Sequence, residues 1–168
     1  RIGRPHSGIE DAYDLFLMSQ DYFNTRTIDG LQKSIAYAAR ALEQDPSYAL
    51  AAAALAVAYV TLASYTPAPP SQFMERGRAA ALQAIALNDS LSDAHMAIGF
   101  VQLGFDWNWP KSHVSLMRAL QLDPWNATAH QWASIYYLAT NQGQRAIQAC
   151  EEAERLDLLG KHALLVVR

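Results

Sequence analysis

Residues 119–127 read Ala-Leu-Gln-Leu-Asp-Pro-Trp-Asn-Ala, and two other stretches are variants of that phrase: Ala-Leu-Glu-Gln-Asp-Pro-Ser-Tyr-Ala at 41–49 and Ala-Ile-Ala-Leu-Asn-Asp-Ser-Leu-Ser at 84–92. A weaker copy, Ala-Glu-Arg-Leu-Asp-Leu, occupies 153–158. The corresponding positions Pro46, Asp89, Pro124 and Leu158 lie 43, 35 and 34 residues apart. A period near 34 residues is that of a helix-turn-helix solenoid. In each copy a small residue falls where two helices must approach closely, and a Leu or aromatic falls where the space between them must be filled. Proline stands between the last helix of one unit and the first of the next, where it ends the helix behind it.

Composition agrees with that period. Alanine accounts for 30 of the 168 residues, with only 8 Gly and 7 Pro, and strand patterns of period two are absent, so an all-α fold is expected. A net charge of −3 without a basic stripe gives no electrostatic footprint for nucleic acid. Cys150 is the single cysteine and cannot form an internal disulfide. Residues 48–65 are uncharged and long enough to span a bilayer. They are mostly Ala and lack a Trp belt or Lys/Arg flanks, so a buried helix explains them and no membrane span is expected. The start at Arg1, without Met or a signal-type apolar run, reads as a fragment of a longer protein. The expected compartment is the cytoplasm, or the periplasm if the parent has an upstream membrane span.

In register, the units resemble the tetratricopeptide repeat. The first offers Met18, Ser19 and Tyr22, then Ser34, Ala38, Ala41 and Pro46; the second Leu55, Ala56 and Tyr59, then Ala81 and Ala84. The third offers Ile98, Gly99 and Gln102, then Leu116, Ala119 and Pro124; the fourth Ala133, Ser134 and Tyr137, then Ala146, Cys150 and Ala153. Gln102 stands for a Tyr, Asp89 and Leu158 stand for Pro, and the second unit carries a long insertion. The resemblance implies a right-handed solenoid of about four units, at 10–46, 47–89, 90–124 and 125–158, with 159–168 starting a ninth helix.

A narrower resemblance rests on residues 12–51, the Pro-rich loop after Tyr65, the Phe-Asp-Trp-Asn-Trp-Pro turn at 105–110 and the helix from Ala129 to Ala139. These look like the repeat region of bacterial regulators in which such repeats follow a winged-helix DNA-binding domain, an adenylate-cyclase-type domain or a protein kinase. It implies a sensory or interaction module of a signalling or transcription regulator, with the effector domain outside this chain.

The expected helices are Glu10 to Phe23, Ile28 to Gln44, Ala49 to Ser64, Ser71 to Leu87, Ser92 to Gly104, Pro110 to Leu122, Ala127 to Thr140 and Gln144 to Asp157, with Gly160 as a break before Lys161. Ser71 is expected to cap the fourth helix and Pro110 to open the sixth. Asn126 and Asn88 begin glycosylation-type sequons but occupy positions where they serve as helix caps. Trp107 and Trp109 are expected to plug a turn against neighbouring helices rather than to form a ligand platform.

No HExxH, CxxC, GxSxG, GxGxxG or phosphate-loop pattern occurs, so no enzyme is expected. His95 and His130 are 35 residues apart at one repeat position, which repeat symmetry explains without a metal. Cys150 takes a small-residue core position and is expected to be a buried, inert thiol. Neither a cofactor nor a metal is implied.

Function is then expected on a surface. In such solenoids the first helix of each unit lines the concave side. The inward positions are Phe16 and Phe23; Ala53, Val57 and Val60; Met96, Phe100 and Leu103; Gln131, Ile135 and Leu138. For Ala53 and Val57, ordinary core packing is the favoured role. An apolar partner-binding groove follows, for a helix or peptide anchored on Met96 and Phe100. Without Lys, Arg or Asn at those positions, a clamp for a peptide carboxylate is not expected. The apolar end, including Leu164, Leu165, Val166 and Val167, suggests self-association, and a structural spacer or oligomerisation element is the alternative role.

Overall fold

The computed structural model describes residues 10–166, and side-chain surroundings over 11–157. Eight helices run through the described residues: α1 Glu10–Asn24, α2 Ile28–Gln44, α3 Ala49–Tyr65, α4 Ser71–Leu87, α5 Ser92–Gly104, α6 Trp109–Leu122, α7 Ala127–Ala139 and α8 Gly143–Val166. They pack as consecutive hairpins, α1 on α2, α3 on α4, α5 on α6 and α7 on α8, and the odd-numbered helices also touch one another in series. The result is a solenoid whose odd helices share one side.

The quoted phrase builds the joint between hairpins. At its start the carbonyls of Ala41, Ala84 and Ala119 each accept the backbone N–H of the residue that ends the helix, namely Asp45, Asn88 and Asp123. Those side chains then close a tight turn: Asp45 accepts Ser47 N–H at 3.0 Å, Asn88 accepts Ser90 at 3.0 Å and Asp123 accepts Trp125 at 2.9 Å. Such turns satisfy donors that the next helix has not yet engaged. Asn88 therefore ends α4 rather than capping α5, whereas Asn126 caps α7 by accepting Ala129 N–H at 3.0 Å. His95 and His130 repeat one contact, to the carbonyls of Asp89 and Pro124 at 2.9 and 3.0 Å.

Inside the hairpins, Arg26, Trp107 and Asn141 have φ of 53°, 55° and 58°. A single left-handed residue thus reverses the chain between α1 and α2, α5 and α6, and α7 and α8. The α3–α4 connection uses Thr66–Pro70 instead. Ser71 makes no cap there; α4 starts on Pro70, whose carbonyl accepts Met74 N–H at 2.9 Å. Asn108 caps α6 through Lys111 N–H at 3.1 Å, with Pro110 one place inside the helix.

α3 touches α1, α2, α4 and α5, and is buried from Ala51 to Ala54 and again from Ala56 to Ala58. This accounts for its uncharged sequence; among the described residues no helix is long and apolar enough to cross a membrane. The main core joins Val57, Val60, Met74, Met96, Val101, Leu103, Leu116 and Trp132. In the first hairpin, buried Ser19 and Ser34 bring α1 and α2 together, with Ser19 donating to the Ser34 carbonyl at 3.0 Å.

Three expectations are corrected. α8 passes through Gly160 to Val166, so the residues expected to begin a ninth helix extend the eighth; an interior Gly costs a helix only about 1 kcal/mol. Cys150 is exposed, because Ala146 and Ala149 supply the inward face of α8. Trp107 and Trp109 are 74% and 40% exposed, so neither is buried as a plug of its turn. That turn is held by Arg78, which donates to both Asp106 carboxylate oxygens at 2.8 and 2.5 Å.

Candidate functional site

On the side shared by the odd helices lie two adjoining cavities of about 270 and 380 Å³. Phe23, Arg26, Val57, Met96 and Thr128 help line the first, and Phe16, Leu50, Ala53 and Leu91 the second. Gln20, Asp93 and Asp123 line both and mark where they meet. Each helix brings what its position allows: α1 contributes two turns of one face, from Phe16 to Asn24, α5 its first turn, and Asp123 arrives on the turn after α6.

Asp93 is held by Asn126, whose side-chain amide donates to it at 2.7 Å. Burial pushes its carboxyl above the usual carboxylate range; the Asn126 bond opposes that rise and the Asp123 charge adds to it. A cation placed between the two carboxylates would relieve both effects. At the rim, Arg26 lies 4.4 Å over the Phe23 ring and donates to Thr128 Oγ1 at 3.4 Å, linking the first hairpin to the fourth.

The structure divides the expected groove residues between two places. Phe16, Phe23, Val57 and Met96 line the cavities, although Val57 and Met96 are buried and offer only their edges. Phe100 is not a free anchor: it packs on Trp132 with ring centroids 4.7 Å apart, between α5 and α7. Leu103 and Val60 are core, at 5% and 0% exposed. Gln131, Ile135 and Leu138 are exposed on α7, away from both cavities. The side chains of Leu164, Leu165 and Val166 lie outside the described surroundings, and Val167 outside the described residues.

Gln20, Asp93, Asp123, Arg26, Asn126 and Thr128 were missed from sequence. The anchor positions were read along helix faces, whereas five of these six sit in first turns or connecting turns. A legible signal existed: Asp123 belongs to the repeated phrase, and Asp93 follows its earlier copy by one residue. The groove is consequently of mixed chemistry instead of purely apolar. Among the described residues, no group of three or more His, Cys, Asp or Glu is placed to hold a metal ion.

No family model and no curated protein sequence matches the chain. Solved structures do. A tetratricopeptide-repeat protein of Thermus thermophilus superposes with a TM-score of 0.70 at 19% identity, covering 95% of this chain and 83% of that one. The fold is that of the tetratricopeptide-repeat solenoids. MamA from Desulfovibrio magneticus RS-1 matches at 0.57, with 15% identity over 88% of this chain and 76% of its own. The first tetratricopeptide domain of Spaghetti (RPAP3), bound to the HSP90 peptide SRMEEVD, matches at 0.58, with 20% identity over 86% and 97%. The tetratricopeptide architecture places odd helices along a shared side, as found here.

Proposed function

We propose that this chain is a non-catalytic protein–protein interaction module whose concave groove holds an apolar peptide or helix that also carries a Lys or Arg. One observation carries the reading: the two cavities meet at Gln20, Asp93 and Asp123, so that two carboxylates line a place with apolar side chains on either side, and burial raises the Asp93 carboxyl above its usual range. Phe16, Leu50, Leu91 and Phe23 supply apolar contact on either side, and a cation between the carboxylates fixes the register. Peptide capture by a domain of the same fold, as in the RPAP3 complex, supports the activity. The charge differs in sign, since that peptide ends in Glu-Glu-Val-Asp. The setting we propose, from the resemblance of residues 12–158, is a bacterial signalling or transcription regulator.

Selection from a random displayed-peptide library tests this. Wild-type protein is expected to enrich peptides with Lys or Arg among apolar residues. Asp93→Asn combined with Asp123→Asn should weaken them about tenfold, as expected for loss of a partly buried ion pair. Both replacements keep an oxygen acceptor for the existing bonds, and Asn88 already closes the equivalent turn in the second unit. Enrichment of acidic peptides, or equal binding by the double variant, refutes the proposal.

A further inference from the structure

The groove calls for a cation flanked by apolar side chains, and the chain carries that pattern itself. Residues 1–9, outside the described part, read Arg-Ile-Gly-Arg-Pro-His-Ser-Gly-Ile. They hold two of the 13 Lys+Arg and none of the 16 Asp+Glu. Glu10 opens α1, and α1 walls the groove through Phe16, Gln20 and Phe23. The segment is thus joined directly to the helix that lines the site.

Its length can be set against that helix. An α-helix rises about 1.5 Å per residue, so Phe16, Gln20 and Phe23 lie about 9, 15 and 20 Å along the axis from Glu10. An extended chain advances about 3.3 Å per residue. Gly8 allows a reversal without steric cost, and Pro5 biases Arg4 towards extended backbone. Counted from a reversal at Gly8, the residues His6, Arg4 and Ile2 stand about 7, 13 and 20 Å back along α1. These three share one face, because side chains alternate in an extended segment. The two ladders match: His6 comes level with Phe16, Arg4 with Gln20 and hence with Asp93 and Asp123, and Ile2 with Phe23. Arg1 falls on the opposite face, away from Arg26, which among the described residues is the one cation lining either cavity.

We propose that residues 1–9 fold back along α1 into the groove of their own chain, with Arg4 between Asp93 and Asp123, and compete there with any partner. The inference rests on the preceding reading for the place of the cation. A segment tethered beside its site acts at an effective concentration in the millimolar range, about what a weak intrachain contact needs to fill the site. A partner must then displace it, and its apparent affinity falls by the fraction of chains in which the groove is free.

Disulfide trapping in the 168-residue chain tests the seating with no peptide present. In a Cys150→Ser background, His6→Cys is paired with Ser90→Cys, which lines the cavity beside Phe16, or with Val114→Cys, exposed on α6 and lining neither cavity. Equilibrated against reduced and oxidised glutathione, the pair at 6 and 90 is expected to close about tenfold more fully than the pair at 6 and 114. Arg4→Glu should lower closure at 90 about fivefold, and so should Asp93→Asn with Asp123→Asn. All three changes together should do little more than either set, since both sets delete one interaction. Circular dichroism holds each variant to the wild-type helix content. Equal closure at 90 and 114 overturns the proposal, as does closure indifferent to Arg4→Glu. A disulfide between chains instead of within one, read from a non-reducing gel, overturns it in favour of exchange between copies. Closure at 90 in a protein that captures no displayed peptide upholds this seating and refutes the partner reading; capture without closure does the reverse.

Discussion

At Gly99, α5 lies close against Leu116 of α6. A Cβ added there would lie 2.9 Å from Leu116 Cγ, 3.1 Å from its Cδ2 and 3.2 Å from its backbone nitrogen. Leu116 is fully buried, and the atoms met include its branch point and main chain, so no swing of a flexible tip relieves the clash. Ala in place of Gly within a helix stabilises by about 1 kcal/mol through backbone entropy. Overpacking a tight core costs about 1–3 kcal/mol. The middle of that cost less the entropic gain leaves Gly99→Ala destabilised by about 1 kcal/mol, or about 2–4 °C in Tm for a chain of this size. Gly104, at the end of the same helix, has nothing within 4 Å of its added Cβ. Gly104→Ala keeps only the entropic gain, reduced at a helix end to about 0.5 kcal/mol. Thermal unfolding followed by circular dichroism compares the two. A Gly99→Ala protein as stable as the wild type would refute the close approach of α5 and α6.

Repeat equivalence makes a second comparison: Leu103→Ala should cost about 3 kcal/mol by opening a cavity, while Leu138→Ala should stay within about 0.5 kcal/mol, both read from denaturant titration. Tyr48 is 2% exposed, its hydroxyl has no partner among the described residues, and burial pushes its pKa up to about 12. The unfolded chain loses that proton first, so stability should fall as pH rises from about 10 to about 12, and Tyr48→Phe should remove this decline. Arg78 donates to Asp106 and holds its carboxyl below the usual carboxylate range. The contribution of that pair is present above the unfolded carboxylate pKa and is lost on acidification below it, so Arg78→Ala should narrow the difference between neutral and acid stability.

The joints between hairpins were readable because their chemistry is local. Leu-Asp-Pro and its variants name a helix end, a side chain that closes a turn and a residue that blocks continuation, all within a few positions. Helix limits therefore agree with expectation to within a residue or two from Glu10 to Leu122. The exceptions are residues whose role depends on a partner helix. Gly160 was read as a break although a helix tolerates glycine, and Cys150 was read as buried because it takes a small-residue position of the repeat. Leu116 packs against Gly99 of α5 within a core shared by several helices, whereas among the described residues α8 packs on α7 alone.

By itself, the sequence determined an all-α chain, the repeat period and the face of each helix, since periodicity and capping act over a few residues. Tertiary structure alone decided what occupies the concave side. Met96, Val57 and Phe100 share a helical stripe with residues that line the groove. Packing between successive hairpins draws Phe100 into the core and leaves Val57 and Met96 only edges at the cavity walls. The same superhelical curvature brings Gln20, Asp93 and Asp123, from three separate parts of the chain, to one place. Helical spacing says which residues share a face, but the angle between hairpins sets which of them face solvent.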